Sequence, residues 1–344
     1  MRPETFRPLP EPIRNSDLSQ LWEIINIPEE SRLLIITWLC ECLRIDTPFP
    51  LLEIIGEQGS AKSTTQSMLR QLIDPNACNL RAAPKTIEDI FIAAGVNWLV
   101  SYENMSHLSA PIQDTFCVIA TGGGFAKRKL YSDADESVIN VKRPIILNGI
   151  SAAVTAQDLI DRTISVEMPV ISNRQESTLL WKIYDINHAK FLGAILDIFS
   201  HALEHLSSIQ LPSAANRPRL IEFAKLGMAI AKSLGKSEED FLSQFNTSRQ
   251  ESINRTIDAS PAASALIEWF ENHPSNSLTI SLKELYEKLA RIRSSNTESW
   301  PRSPKGLADA LRRAAPALRQ FGIEFRSLGK TGSYVLWEIK RLEK

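Results

Sequence analysis

The sequence is poor in the features that mark membrane, secreted and repeat proteins. Its longest apolar run, residues 33–40 with Thr37 inside it, falls well short of the roughly 20 residues that cross a bilayer, so no membrane span is expected. Cysteine is scarce. The four residues at 40, 42, 78 and 117 form no C-x-x-C pair, which argues against a disulfide framework or structural zinc and fits reduced thiols in a cytoplasm. The opening MRPETFRPLPEPIRNSD carries three Arg but lacks the apolar stretch of a secretory signal. Internal repeats and low-complexity tracts are missing. Net charge is also nearly absent, at -1 over 344 residues, but this total is a sum over unlike parts.

What is present is ample apolar material, 43% of the chain, and a length that calls for two or three packed units. Residues 1–30 are Pro-rich and read as an irregular lead-in. Over 31–172, short apolar runs at 51–55, 98–100, 145–147 and 164–168 alternate with helical patterns. That alternation predicts an α/β core with a mostly parallel sheet. Between 173 and 260 the period is helical, through Phe191, Ile195, Ile198, Phe199, Ala202 and Leu206. Over 261–344 come a helix with Leu266, Trp269 and Phe270, a second over 282–291, a third over 305–320 and two strand-like runs broken by Gly329 and Gly332. This is the order of a winged-helix domain.

The run 51–55 leads directly into Gly56-Glu57-Gln58-Gly59-Ser60-Ala61-Lys62-Ser63-Thr64, and residues 65–73 read as a helix. Strand, Gly-rich turn and helix is the setting of a P-loop. Backbone N–H groups cradle phosphates, Lys62 reaches the β and γ phosphates, and Ser63 ligates Mg²⁺. Ala61 stands where a second glycine is usual; its methyl group matters only if that residue needs positive φ. A nucleotide hydrolase also needs an acid at the end of a neighbouring strand. Trp98-Leu99-Val100-Ser101-Tyr102-Glu103-Asn104 offers Glu103 as a Mg²⁺ ligand, with Asn104 beside it as a water-polarising group; a strand ending in a solvated Glu-Asn turn is the alternative. Ile145-Ile146-Leu147-Asn148 repeats the form, and Asn148 is either a γ-phosphate sensor or part of an ordinary Asn-Gly turn.

With these motifs in view, the chain resembles the ATPase portion of phage and mobile-element primase-helicases, an AAA+-related group close to superfamily 3 and poxvirus-type primase-helicases. The resemblance rests on PFPLLEIIGEQGSAKST, NWLVSYENMSHLS, ATGGGFAKRKLYSDADE, KRPIILNGI, DLIDRTISVEMP, NRPRLIEFAKLG and WPRSPKGLADALRRAAPALRQFGIEF. It implies a P-loop NTPase core at 31–172, an α-helical lid at 173–260 and a winged-helix domain at 261–344. It further implies ATP and Mg²⁺ as cofactors, a homo-oligomeric ring, single-stranded DNA in a central channel and a separate primase, since the family's primase half lies upstream. Arg162 matches the arginine finger, with a local salt bridge as the alternative. Arg219 matches a lid residue that senses nucleotide, with an ordinary surface arginine as the alternative. Members usually carry Gly-Lys-Ser in the loop and Asp-Asn at the second acid, so Ala61 and Glu103 are departures that bear on turnover.

Two basic stretches are candidates for DNA. Gly122 to Gly124 followed by Phe125, Lys127, Arg128 and Lys129 suits a hairpin that grips a phosphate backbone, with Phe125 able to stack; a solvated basic turn is the alternative, and Arg128 has a second possible role at the nucleotide. Residues 300–344 hold ten Lys or Arg against four acids, and Lys305, Arg312, Arg313 and Lys330 are placed to meet duplex phosphates. The expected function is an ATP-dependent DNA helicase or translocase of a phage or mobile element, cytoplasmic, hydrolysing ATP at subunit interfaces. The alternative is a nucleotide-regulated DNA-binding or loading module with weak or no ATPase activity.

Overall fold

The computed structural model describes residues 4–128, 136–211, 219–292, 300–331 and 334–342, and the side chains of residues 127, 128, 136, 137, 330, 331 and 334 lie outside that description. The chain forms two compact units, Met1–Arg249 and Gln250–Lys344. The first contains α1 (Ser19–Ile24), α2 (Arg32–Glu41), β1 (Leu51–Ile55), α3 (Lys62–Ile73), α4 (Ile87–Val96), β2 (Val100–Tyr102), α5 (Ala110–Thr121), β3 (Gly123–Arg128) and β4 (Glu136–Val141). It continues with β5 (Ile145–Gly149), α6 (Gln157–Ile160), β6 (Thr163–Glu167), α7 (Ser177–Leu206), α8 (Ile221–Ser233) and the first part of α9 (Glu238–Asp258).

Four strands make one parallel sheet in the order β2-β5-β1-β6, as the alternating pattern predicts, and β3 pairs with β4 as a separate antiparallel hairpin. β1 is buried at all five positions, as a central strand covered on both faces must be. Its one charged residue is held accordingly: Glu53 accepts from the N–H groups of Ala153 and Val154 at 2.8 and 3.0 Å and from Ser165 Oγ at 2.8 Å. This carboxylate ties the segment after β5 to the middle of the sheet.

The segment before residue 31 is more than a lead-in. Leu18, Leu21, Ile24, Ile25 and Ile27 are buried in the main core with Trp38, Phe191 and Ile195; Leu21 and Ile24 form the inward face of α1, and the other three flank the helix. Upstream, Ile13 N–H donates to Ala189 O at 2.9 Å, and Asp197 holds both Arg14 Nε (2.8 Å) and Asn15 N–H (2.7 Å). Gly193 permits this strap to lie on α7, since a Cβ there would overlap the Ile13 carbonyl.

The second unit contains the rest of α9, α10 (Pro261–Glu271), β7 (Ser277–Ser281), α11 (Leu282–Ile292), α12 (Pro304–Gln320), β8 (Ile323–Thr331) and β9 (Tyr334–Arg341). Its sheet is antiparallel in the order β7-β9-β8. β7 was no part of the sequence expectation: Ser-Leu-Thr-Ile-Ser is short and polar, and only its pairing with β9, Ile280 opposite Trp337, makes it a strand. Trp337 stacks on Phe325 at 4.4 Å within a core that includes Leu266, Phe270, Leu285, Leu307 and Leu311. Arg341 closes α10 by donating to the carbonyls of Phe270, Glu271 and His273.

Candidate functional site

β1 ends at Ile55, and the Gly-rich loop joins it to α3, which begins at Lys62. Two of its positions require glycine. A Cβ on Gly56 would come within 2.8 Å of the Met168 carbonyl and of Ser60 Oγ, and Gly59 has φ of +90°. Ala61 has φ 58° and ψ 29°, the left-handed region, which costs an L-residue about 1–2 kcal/mol. No side chain caps α3, so the first N–H groups of the helix lack a side-chain partner. Lys62 Nζ turns back on the loop, donating to Gly56 O at 2.7 Å and Glu57 O at 2.8 Å, with Ser60 Oγ at 3.3 Å. Burial lowers its pKa. Glu57 and Gln58 are exposed at the tip, and Thr64 continues the first turn of α3. A donor set of backbone N–H groups and one ammonium, around positions closed to a Cβ, fits an oligophosphate.

Glu103 follows β2 directly, and Ser63 Oγ donates to its Oε2 at 3.4 Å. Asn148, fully buried on β5, is the centre of a relay. Its Oδ1 accepts from Asn104 N–H at 3.0 Å, and its Nδ2 donates to Gln66 Oε1 at 2.6 Å. Gln66 Nε2 donates to Ser101 Oγ and to Tyr102 O, both at 2.9 Å. Asn104 takes φ 55°, a conformation its side chain tolerates better than most. The structure thus brings Lys62, Ser63, Glu103, Asn104 and Asn148 together at the C-terminal edge of the sheet. Among the described residues no group of three His, Cys, Asp or Glu side chains is placed to hold a metal. A hydroxyl and a carboxylate suit a hard cation whose shell is completed by water and phosphate oxygens.

Beside the loop lies a cavity of about 440 Å³, lined by Trp22, Asn26, Gly59, Thr64, Ile171 and Arg174 among others. Asn26 Nδ2 donates to Ser60 O at 3.0 Å and Pro169 O at 2.6 Å, bracing the loop from outside. The Arg174 guanidinium lies over Gly59, where a built Cβ would meet its NH2 at 2.7 Å. Trp22, Asn26, Ile171 and Arg174 were not marked by sequence reasoning, because they come from the lead-in and from the turn before α7. The helical spacing of Leu18, Leu21 and Ile24 was the available signal.

Arg162 and Arg219 do not join the loop. Arg162 Nε lies 3.4 Å from Asp158, while Arg219 pairs with Asp158 at 2.5 Å and Asp161 at 3.6 Å; Arg249 reaches Asp161 at 3.5 Å. Burial pushes the Asp158 carboxyl upward, but its hydrogen bond from Cys117 and the two arginines leave it below the usual value. Arg162 O accepts from Leu51 N–H, so this cluster stands at the start of β1 and the loop at its end, roughly 16 Å further along the strand. Arg219, expected as a lid residue that senses nucleotide, is paired here with Asp158 and Asp161.

Phe125, on β3, stacks on Phe91 at 5.2 Å, so its ring already has a partner. Lys127 and Arg128 are on β3 with side chains outside the description, and Lys129 lies outside the described residues altogether. On α12, Lys305, Arg312 and Arg313 are exposed. Arg312 is engaged with Asp309 at 2.9 Å and with the Trp337 ring at 4.8 Å. Lys330 belongs to β8, its side chain outside the description.

Residues 18–238 match the family described as actinomycete integrative conjugative element replication protein, and residues 262–344 match the AICE RepA C-terminal domain. The chain belongs to this replication-protein family. No curated protein matches it. Among solved structures it is similar to an SCCmec type IV Cch active helicase, at 12% identity over 96% of this chain and 68% of that one, with a TM-score of 0.47. It is also similar to the NrS-1 C-terminal region, at 14% identity over 98% and 80% with a TM-score of 0.45, and to JCV helicase, at 13% over 65% and 67% with a TM-score of 0.31. No helix among the described residues is long and apolar enough to cross a membrane.

Proposed function

We propose that this family member is an ATP-dependent DNA helicase or translocase acting in the replication of a mobile element. In this reading 31–172 is an AAA+-type core, 173–260 its lid and 261–344 a winged helix. The observation that carries the proposal is the convergence of the Gly-rich loop, the Ser63–Glu103 pair and buried Asn148 at one edge of a parallel sheet. Bound Mg²⁺–ATP would supply the phosphoanhydride and the charge that polarises it. Lys62 exchanges its loop carbonyls for phosphate oxygens, while Ser63 and Glu103 hold the cation's shell. Asn104, fixed by Asn148, orients a water, and the cavity at Trp22 and Asn26 takes the base and sugar.

Arg162 is out of reach of its own loop, which favours action on a neighbouring subunit's phosphate in a homo-oligomeric ring. Arg219 shares its Asp158 carboxylate and belongs to the same interface. The basic run of Lys127, Arg128 and Lys129 takes single-stranded DNA. Lys305 and Arg313 on α12, with Lys330, take duplex phosphates, and the order α10-β7-α11-α12-β8-β9 supports a winged helix.

The test is steady-state ATP hydrolysis with and without single-stranded DNA. Lys62→Ala and Glu103→Gln should each lower turnover by about 10²-fold or more, with Glu103→Gln keeping ATP binding. A wild-type protein that binds ATP yet hydrolyses none with DNA present would overturn the helicase reading. It would favour the nucleotide-regulated DNA-binding module, for which the strain at Ala61 is the supporting observation.

A further inference from the structure

Behind β2, on the side away from Ser63, is a second cavity of about 410 Å³. Its wall is built by an extra backbone pairing. Arg81 N–H donates to Ser101 O at 3.0 Å and Arg81 O accepts from Glu103 N–H at 2.9 Å, so residue 81 acts as a one-residue strand beyond β2. Arg81 and Tyr102 are parallel bridge partners, and their side chains leave the sheet on the same side. Glu103, next along the strand, leaves toward Ser63.

Tyr102 is 2% exposed, lines this cavity, and its phenol oxygen has no hydrogen-bond partner. A buried hydroxyl without a partner costs about 1–3 kcal/mol, so a ligand group that accepts from it gains correspondingly. Arg81 Nε is likewise buried and unpartnered. Lys85, on the rim, is exposed. The one carboxylate present, Asp89, is engaged in capping α4, accepting from Thr86 N–H at 2.9 Å and Lys85 N–H at 3.2 Å. Burial raises the Tyr102 pKa, with the Arg81 charge opposing and the Asp89 charge adding, so the phenol is a proton donor at any ordinary pH. The remaining lining carries no charge and no aromatic ring: Cys78, Leu80, Ala82, Ala83, Pro84 and Ala93. The Tyr102 ring is covered by Phe116 at 5.9 Å, leaving no free aromatic face for a base.

We propose that this cavity is a phosphate-binding site, separate from the Gly-rich loop, in which Arg81, Lys85 and the Tyr102 hydroxyl hold a backbone phosphate of single-stranded DNA. Two guanidinium or ammonium donors and one hydroxyl match a phosphodiester, and the absence of a stacking surface disfavours a free nucleotide. Because Arg81 also carries the backbone bond to Glu103, a strand held here is mechanically joined to the acid of the other site. The choice of DNA as the source of the phosphate rests on the proposed DNA-binding function; the anion site itself does not.

The test uses the whole protein with Lys62→Ala in the background, which disables the loop. Binding of inorganic phosphate and of a fluorescent oligothymidylate is measured against salt. Arg81→Gln and Lys85→Gln should each weaken the oligonucleotide about tenfold and flatten the log–log salt dependence by about 0.7 per lost contact. Tyr102→Phe should weaken it less and leave the slope unchanged, and Arg81→Lys should restore the slope. If phosphate binding falls in these variants while oligonucleotide binding does not, the site stands and DNA is overturned as its occupant. If neither changes in variants that melt like the parent, the site itself is overturned.

Discussion

At the scale of single residues, Ala61 shows how much a backbone angle can change the meaning of a motif. The sequence displays an alanine where glycine is usual, and only the structure shows that the position is left-handed, so the methyl group is held under strain. Ala61→Gly should therefore raise unfolding free energy by about 1 kcal/mol, with ATP turnover equal or higher; a denaturant melt and a steady-state assay check both. Glu53 gives the opposite case. It reads as a flaw in an apolar strand and proves to be the acceptor for two buried N–H groups and a serine. Glu53→Leu should destabilise by about 3 kcal/mol or more, although leucine suits the strand better, because the two N–H groups lose their acceptor. The loop motif was legible because its glycines, lysine and helix start come from consecutive residues. Trp22, Asn26, Arg81 and Arg174 were not, since each acquires its setting from a segment distant in sequence.

At the scale of elements, the strands of the parallel sheet were legible from short apolar runs and α3 from its place after the loop. The pairing order β2-β5-β1-β6 and the strand β7 were not, because neighbours in a sheet are chosen by packing rather than by adjacent sequence. Long α7 carries a titratable contact with α3. His188 Nε2 lies 3.0 Å from Gln71 O, and burial lowers its pKa below the ordinary 6.5, with the Gln71 carbonyl and Asp185 opposing. A depressed folded value means that the unfolded chain binds the proton more readily. The stability from burying this ring neutral is present above pH 6.5 and is lost as pH falls through the folded value. The melting temperature should fall between pH 7.5 and 5.5, and His188→Gln should make that fall shallower. An unchanged profile in the variant would assign the acid sensitivity elsewhere.

At the scale of the whole molecule, the separation of Arg162 from its own loop makes a prediction about assembly. Arg162→Ala and Lys62→Ala proteins should each be nearly inactive, by about 10³-fold or more for the arginine, and mixing them should restore ATPase activity at junctions that combine an intact loop with an intact arginine. No recovery from folded, associating variants would point to a monomer or to a local role for Arg162 with Asp158. The strap over α7 has a consequence of another kind. Arg14 is 72% exposed and looks open to trypsin, yet the bond after it is held because Asn15 N–H and the Arg14 side chain are both fastened to Asp197. Cleavage there must wait for the strap to lift, so the nicking rate is a clock for local opening along α7. Gly193→Ala, which pushes the Ile13 carbonyl away, should make that clock run faster without any change at the nucleotide.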